Sequence, residues 1–97
     1  MKVVFDKNGI KGDKFIITDS SSLEDGRGIF AVYNLKSFSS NLSGLTYGQY
    51  MFYNCENLTS FSSDLSALTN GEYMFYGTKL LNFSSDLSTL MNGEYMF

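Results

Sequence analysis

The chain has 97 residues, with seven Lys and Arg against ten Asp and Glu, a net charge of −3. That size suits one small domain or one short repeat array. It has no His, which excludes Ser-His-Asp and Cys-His catalysis and imidazole metal sites within the chain. Its acidic balance argues against nucleic-acid binding, which needs clustered Lys and Arg. Cys55 is the single cysteine, so no internal disulfide or thiolate zinc site forms. No apolar run approaches the roughly 18 residues of a membrane helix, so membrane insertion is not expected.

In chain order, residues 1–12 read as a hairpin cap. Val3-Val4-Phe5 is expected to pair with the stretch around Ile10, turning at Asn8-Gly9, a dipeptide suited to a tight hairpin. Residues 13–33 read as a divergent first coil, because Leu23, Gly26, Ile29 and Phe30 share the spacing of Leu45, Gly48, Met51 and Phe52 in the next unit. Residues 1–33 balance five basic against five acidic groups, so residues 34–97 carry the whole net charge.

Residues 34–97 form an array. Leu35-Lys36-Ser37-Phe38-Ser39-Ser40-Asn41-Leu42 recurs as Leu58-Thr59-Ser60-Phe61-Ser62-Ser63-Asp64-Leu65. It recurs again as Leu80-Leu81-Asn82-Phe83-Ser84-Ser85-Asp86-Leu87. Leu45, Leu68 and Leu90 correspond, as do Gly48, Gly71 and Gly93, and the runs Tyr50-Met51-Phe52, Tyr73-Met74-Phe75 and Tyr95-Met96-Phe97. A period of about 22–23 residues is too short for paired helices. It predicts a mainly β repeat solenoid: short parallel strands at Leu-x-x-Phe-x-Ser, stacked, with irregular or single-turn return segments. Leu, Phe and Met would stack on their equivalents one coil away, and no coil could bury that face alone.

The run Met51-Phe52-Tyr53-Asn54-Cys55-Glu56-Asn57-Leu58-Thr59-Ser60-Phe61 resembles the BspA-like bacterial leucine-rich repeats, which carry Met-Phe-x-x-Cys-x-x-Leu-x-x-Leu/Phe. The likeness covers Asn34 to Phe97. It departs in the Cys position, which falls in the shortened Gly77-Thr78 stretch of the next unit. It departs also in the second strand aliphatic, which is Ser40, Ser63 and Ser85 here. The resemblance implies a leucine-rich-repeat-like fold on a large bacterial surface protein that binds host proteins or other cells.

In such a stack the functional unit is a column of equivalent positions about 4.8 Å apart. Ser37 and Ser39, Ser60 and Ser62, and Asn82 and Ser84 should face outward, as a flat hydrogen-bonding ligand face or as polar filler. Tyr50, Tyr73 and Tyr95, with Tyr53 and Tyr76 nearby, would dock protein or sugar rings or simply cover one another. Asp64 and Asp86 beneath Asn41, and Glu72 and Glu94 beneath Gln49, form an acidic column. The Asp residues suit local turn capping better than calcium, for which each coil has too few ligands.

Cys55 has no basic neighbour to activate it and reads as a small, partly buried thiol. The sequons at Asn41, Asn57 and Asn82 arise from the unit's own composition. Acidic pairs that recur with the period do not look like a single active site, so no enzyme and no cofactor is expected. The start at Met1 lacks a signal-peptide core. Phe97 closes in mid-unit, as expected of a longer polypeptide or of an uncapped coil that self-associates. The sequence therefore predicts a non-catalytic protein- or glycan-binding module of a surface or adhesion protein, extracellular or at the cell surface. The alternative is a structural segment of an assembly such as a phage virion appendage or fibre.

Overall fold

A computed structural model describes residues 2–5, 15–19, 23–39 and 41–97; for the first two stretches it describes the backbone only. The architecture is mainly non-helical and β-rich. Strand β1 (Lys2–Phe5) pairs antiparallel with β2 (Phe15–Asp19), Val3 opposite Ile17 and Phe5 opposite Phe15, with a bulge between Lys2 and Val3. The hairpin partner is therefore not the stretch around Ile10. Phe15-Ile16-Ile17 is a denser β-branched and aromatic run and takes the pairing instead. Residues 15–19, expected in the first coil, belong to this hairpin. The turn expected at Asn8-Gly9 lies outside the described residues.

The three strands of the array are short: β3 (Ser37–Phe38), β4 (Ser60–Phe61) and β5 (Asn82–Phe83). They form one parallel sheet in the order β3-β4-β5, with Phe38, Phe61 and Phe83 in register. This register, Ser37 beside Ser60 and Ser60 beside Asn82, is the one that the sequence alignment gives. The strands are shorter than Leu-x-x-Phe-x-Ser because turns begin close behind them. Asn41, Asp64 and Asp86 each accept the backbone N–H two positions on, at 2.8, 2.8 and 2.9 Å. Such Asx turns compete with strand continuation.

A second set of parallel bridges joins Asp25 to Tyr47, Tyr47 to Asn70 and Asn70 to Asn92. Beyond it, every other residue donates its N–H to the next unit: Gly48 to Asn70, Tyr50 to Glu72, Phe52 to Met74 and Asn54 to Tyr76, at 2.7–3.0 Å. The intervening residues close local turns: Met51 to Gly48, Tyr53 to Tyr50 and Cys55 to Phe52. The return segment is thus a chain of consecutive turns and contains no helical turn. Its buried backbone donors are satisfied alternately within and between units.

The core lies between strand and return segment. Phe38 stacks on Phe61 and Phe61 on Phe83, at 5.8 and 5.6 Å. Phe52, Phe75 and Phe97 form a second stack at 5.4 and 5.5 Å. The two stacks meet edge to face, Phe38 on Phe52 at 4.9 Å and Phe61 on Phe75 at 4.8 Å. Offset and edge-on pairs of this kind add about 0.5–1.5 kcal/mol each beyond area burial. Leu35, Leu42, Leu45, Leu58, Leu65 and Leu68 are fully buried around them, with Met51 and Met74. Among the described residues no helix is long and apolar enough to cross a membrane.

Candidate functional site

Successive strand residues point to opposite faces. With Phe38, Phe61 and Phe83 turned toward the return segment, the residues beside them turn away from it. Ser37, Ser39, Ser62, Asn82 and Ser84 are exposed, and Ser60 is half-buried. The serine column lies outward as the sequence predicts. Its inward neighbours are less regular. Ser85 Oγ donates to the Ser63 carbonyl, while Ser63 itself is buried and its Oγ has no hydrogen-bond partner among the described residues.

The tyrosines stand on the return segment, Tyr50, Tyr73 and Tyr95 each next to a buried Met. Tyr50, Tyr73 and Tyr95 are the third residues of turns closed by Met51 to Gly48, Met74 to Gly71 and Met96 to Gly93. All three have positive φ, at 60°, 56° and 54°. That is the type II turn position, which ordinarily takes Gly or Asn. Gly28, at the same place in the first unit, has φ 66°. A left-handed conformation costs a side chain with a Cβ roughly 1–2 kcal/mol, so each Tyr sits where Gly would be relaxed. A second column four positions on, Val32, Asn54 and Gly77, is also left-handed.

The rings order one another. Tyr50 stacks on Tyr73 at 4.9 Å and 10°, and Tyr73 on Tyr95 at 5.1 Å and 21°. Tyr53 stacks on Tyr76 at 5.9 Å. The two columns cross edge-on, Tyr50 on Tyr53 at 5.2 Å and Tyr73 on Tyr76 at 5.3 Å. Tyr50, Tyr76 and Tyr95 stay exposed, and Tyr53 and Tyr73 are half-buried. Burial chiefly, with Tyr50, Tyr95, Tyr76 and Glu94 beside it, holds the Tyr73 phenol above its ordinary 10.0. Neighbours occupy both ring faces of Tyr73 and one face each of Tyr50 and Tyr95, so the middle of the ladder presents ring edges and a hydroxyl. Stacking of a sugar ring, one of the uses the sequence offers, has no room at Tyr73.

The acidic positions serve the backbone first. Asp64 and Asp86 hold Asx turns, and the Ser88 amide and then its hydroxyl keep the Asp86 carboxyl below its ordinary 3.8. Asn70 and Asn92 accept the Glu72 and Glu94 amides at 3.1 and 3.0 Å, and Asn92 Nδ2 donates to Glu72 at 3.3 Å. Sequence reading passed over Asp25 and Arg27, an exposed ion pair at 2.7 Å, since neither recurs in the array. Among the described residues no three His, Cys, Asp or Glu gather as a metal site.

Cys55 is fully buried and its Sγ donates to the Phe30 carbonyl at 3.1 Å. Burial pushes this thiol up to about 11. It is protonated and shielded, unlike a nucleophile. In comparisons with known proteins the chain matches no family model, no curated protein and no solved structure.

Proposed function

We propose that the chain is a leucine-rich-repeat-like solenoid of the BspA-like kind and a non-catalytic binding module of a bacterial surface protein. Its primary ligand, in this reading, is a protein held by the tyrosine ladder. One observation carries it: three exposed or half-buried tyrosines occupy left-handed positions that glycine fills without strain in the first unit. Backbone strain retained at a surface column supports a use for the side chain. Ring edges and phenol hydroxyls give large, rigid contact area with polar tips, which suits protein partners. The equal registers of the sheet and of the return-segment bridges support the solenoid.

The test is binding of the chain to a panel of purified host extracellular-matrix proteins, beside a Tyr50→Gly/Tyr73→Gly/Tyr95→Gly variant. Gly28 shows that glycine keeps the turn. Loss of binding with retained folding supports the reading. Unchanged binding by the variant, or no binding across the panel, counts against it.

A second reading, a structural segment of a larger assembly such as a virion appendage, has its own observation. Leu81 and Met91 are 82% and 87% exposed. They stand in columns that carry Lys36 and Thr59, and Thr46 and Thr69, in the preceding units. Light scattering across a dilution series separates the readings. A growing mass that Leu81→Thr/Met91→Thr abolishes favours assembly; a constant monomer removes it.

A further inference from the structure

Two stretches of the array are identical: Asn70-Gly71-Glu72-Tyr73-Met74-Phe75 and Asn92-Gly93-Glu94-Tyr95-Met96-Phe97. An Asn followed by Gly is the least hindered setting for asparagine chemistry, because a glycine without Cβ lets its nitrogen swing toward the asparagine side chain. Local sequence gives both pairs the same reactivity, so a difference between them belongs to the tertiary structure. We infer that Asn92 is a site of covalent modification, deamidating through the Gly93 nitrogen, while its twin Asn70 is protected. This is independent of what the tyrosine ladder binds.

In this step the Gly93 N–H gives its proton to water or hydroxide, and the nitrogen bonds to Cγ of Asn92. Ammonia leaves and a five-membered succinimide closes. Water then opens the ring at either carbonyl. One opening gives aspartate; the other gives isoaspartate, with the main chain rerouted through the side-chain carbon. Asparagine and water become the acid and ammonia, and nothing is oxidised or reduced.

The two local turns are alike. Asn70 and Asn92 each accept the amide two positions on, at 3.1 and 3.0 Å. Met74 and Met96 each donate to the glycine carbonyl, at 2.9 and 3.1 Å. The glycine nitrogens differ. Gly71 is buried, closed in by Met96 and Leu68, and its N–H donates to the Asn92 carbonyl at 2.8 Å. Gly93 is exposed, and among the described residues no acceptor takes its N–H. The Gly71 nitrogen must first break its hydrogen bond and reach water, so it reacts only from an opened minority of molecules. The Gly93 nitrogen meets water and base directly.

The surroundings give the modification a consequence. Asn92 Nδ2 donates to Glu72 at 3.3 Å, and Asn92 bridges to Asn70. The product puts a carboxylate before Glu72 in place of that donor, and like charges repel. Isoaspartate also adds a carbon to the main chain at the bridge. Both loosen the last unit, and with it the Tyr95 ring on Tyr73.

The experiment incubates the whole chain at mildly alkaline pH, native and in concentrated urea. Proteolytic mapping with mass spectrometry follows each Asn separately, and isoaspartyl methyltransferase scores isoaspartate. Native Asn92 should convert at least about tenfold faster than native Asn70, and faster as the pH rises. In urea the two rates should converge, because the local sequences are the same. Equal native rates overturn the inference, as does an Asn92 that reacts in urea but not in the native chain. Aspartate without isoaspartate means direct hydrolysis and overturns it too. Gly93→Ala places a Cβ on the attacking residue, against the far end of the Leu90 side chain at 2.8 Å. It should slow conversion of Asn92 and leave Asn70 as before; conversion of Asn92 at the parent's rate overturns the route through the Gly93 nitrogen. Amide hydrogen exchange gives a second readout: Gly93 should exchange at least about tenfold faster than Gly71, and equal exchange removes the protection on which the difference rests.

Discussion

Gly48 leaves the space into which Met74 of the following unit packs: a Cβ at Gly48 would meet Met74 Sδ at 3.0 Å and Leu68 Cδ1 at 3.1 Å. Gly26 stands to Met51 in the same way, at 2.9 Å, and Gly71 to Met96, at 3.2 Å. Gly48→Ala should lower stability by about 1–3 kcal/mol, the usual cost of overpacking a closed core. Met74→Ala added to that variant should cost less than Met74→Ala alone, since the two changes share one space. Urea denaturation of both single variants and the double variant measures this coupling.

Tyr73 offers an inversion of the ordinary order of substitutions. At φ 56° an alanine keeps the left-handed strain and loses the stacks at 4.9 and 5.1 Å, whereas glycine loses the stacks and relieves the strain. Tyr73→Gly should therefore be more stable than Tyr73→Ala by about 1 kcal/mol. Thermal melts of the pair decide it; an alanine variant as stable as the glycine variant removes the strain account.

Ser63 carries a buried hydroxyl without a partner among the described residues. Ser63→Ala removes that unpaired group and should raise stability by about 1 kcal/mol. The expected readout is a higher urea midpoint at an unchanged slope. A lower midpoint would mean that the hydroxyl is satisfied in solution.

Acid should loosen the turns. The Asp86 carboxyl lies below its ordinary 3.8 through the Ser88 amide and hydroxyl, and the Asp25 carboxyl through the Arg27 guanidinium and then its amide. A group held low in the folded chain stabilises it above its ordinary value. That contribution is lost as the pH falls from 3.8 through the lower folded value. Asp86→Asn should flatten part of the acid limb of a stability–pH curve, while leaving the neutral plateau in place.

Cys55 predicts the opposite limb. Its thiol rises from 9.0 to about 11 by burial, so the unfolded chain releases its proton first. Stability is complete below 9.0 and falls as the pH climbs through about 11, by roughly 3 kcal/mol at most. Cys55→Ala should remove this slope beyond that of the tyrosines. Iodoacetamide labelling of the native parent should be slow at neutral pH and fast in denaturant.

The sequence alone settled which residues correspond and which of them face inward. Its alignment of Phe38, Phe61 and Phe83 is the register of the sheet, and its Met-Phe pairs are core from Met51 to Phe75. It also placed the serine column outside and Cys55 inside. These follow from apolar period and residue type, which a recurring unit writes several times over. Composition does not write the sign of φ, so the left-handed tyrosines were invisible; only Gly28 in their column hinted at them. Nor does it choose among competing partners, so Phe15–Asp19 displaced the stretch around Ile10 in the hairpin. Tertiary structure alone decided that Tyr73 is covered on both ring faces and that Ser63 stays unpaired among the described residues. Each of these depends on backbone turns and on neighbours a full unit away along the chain, where packing and hydrogen bonding between units, not local preference, fix the geometry.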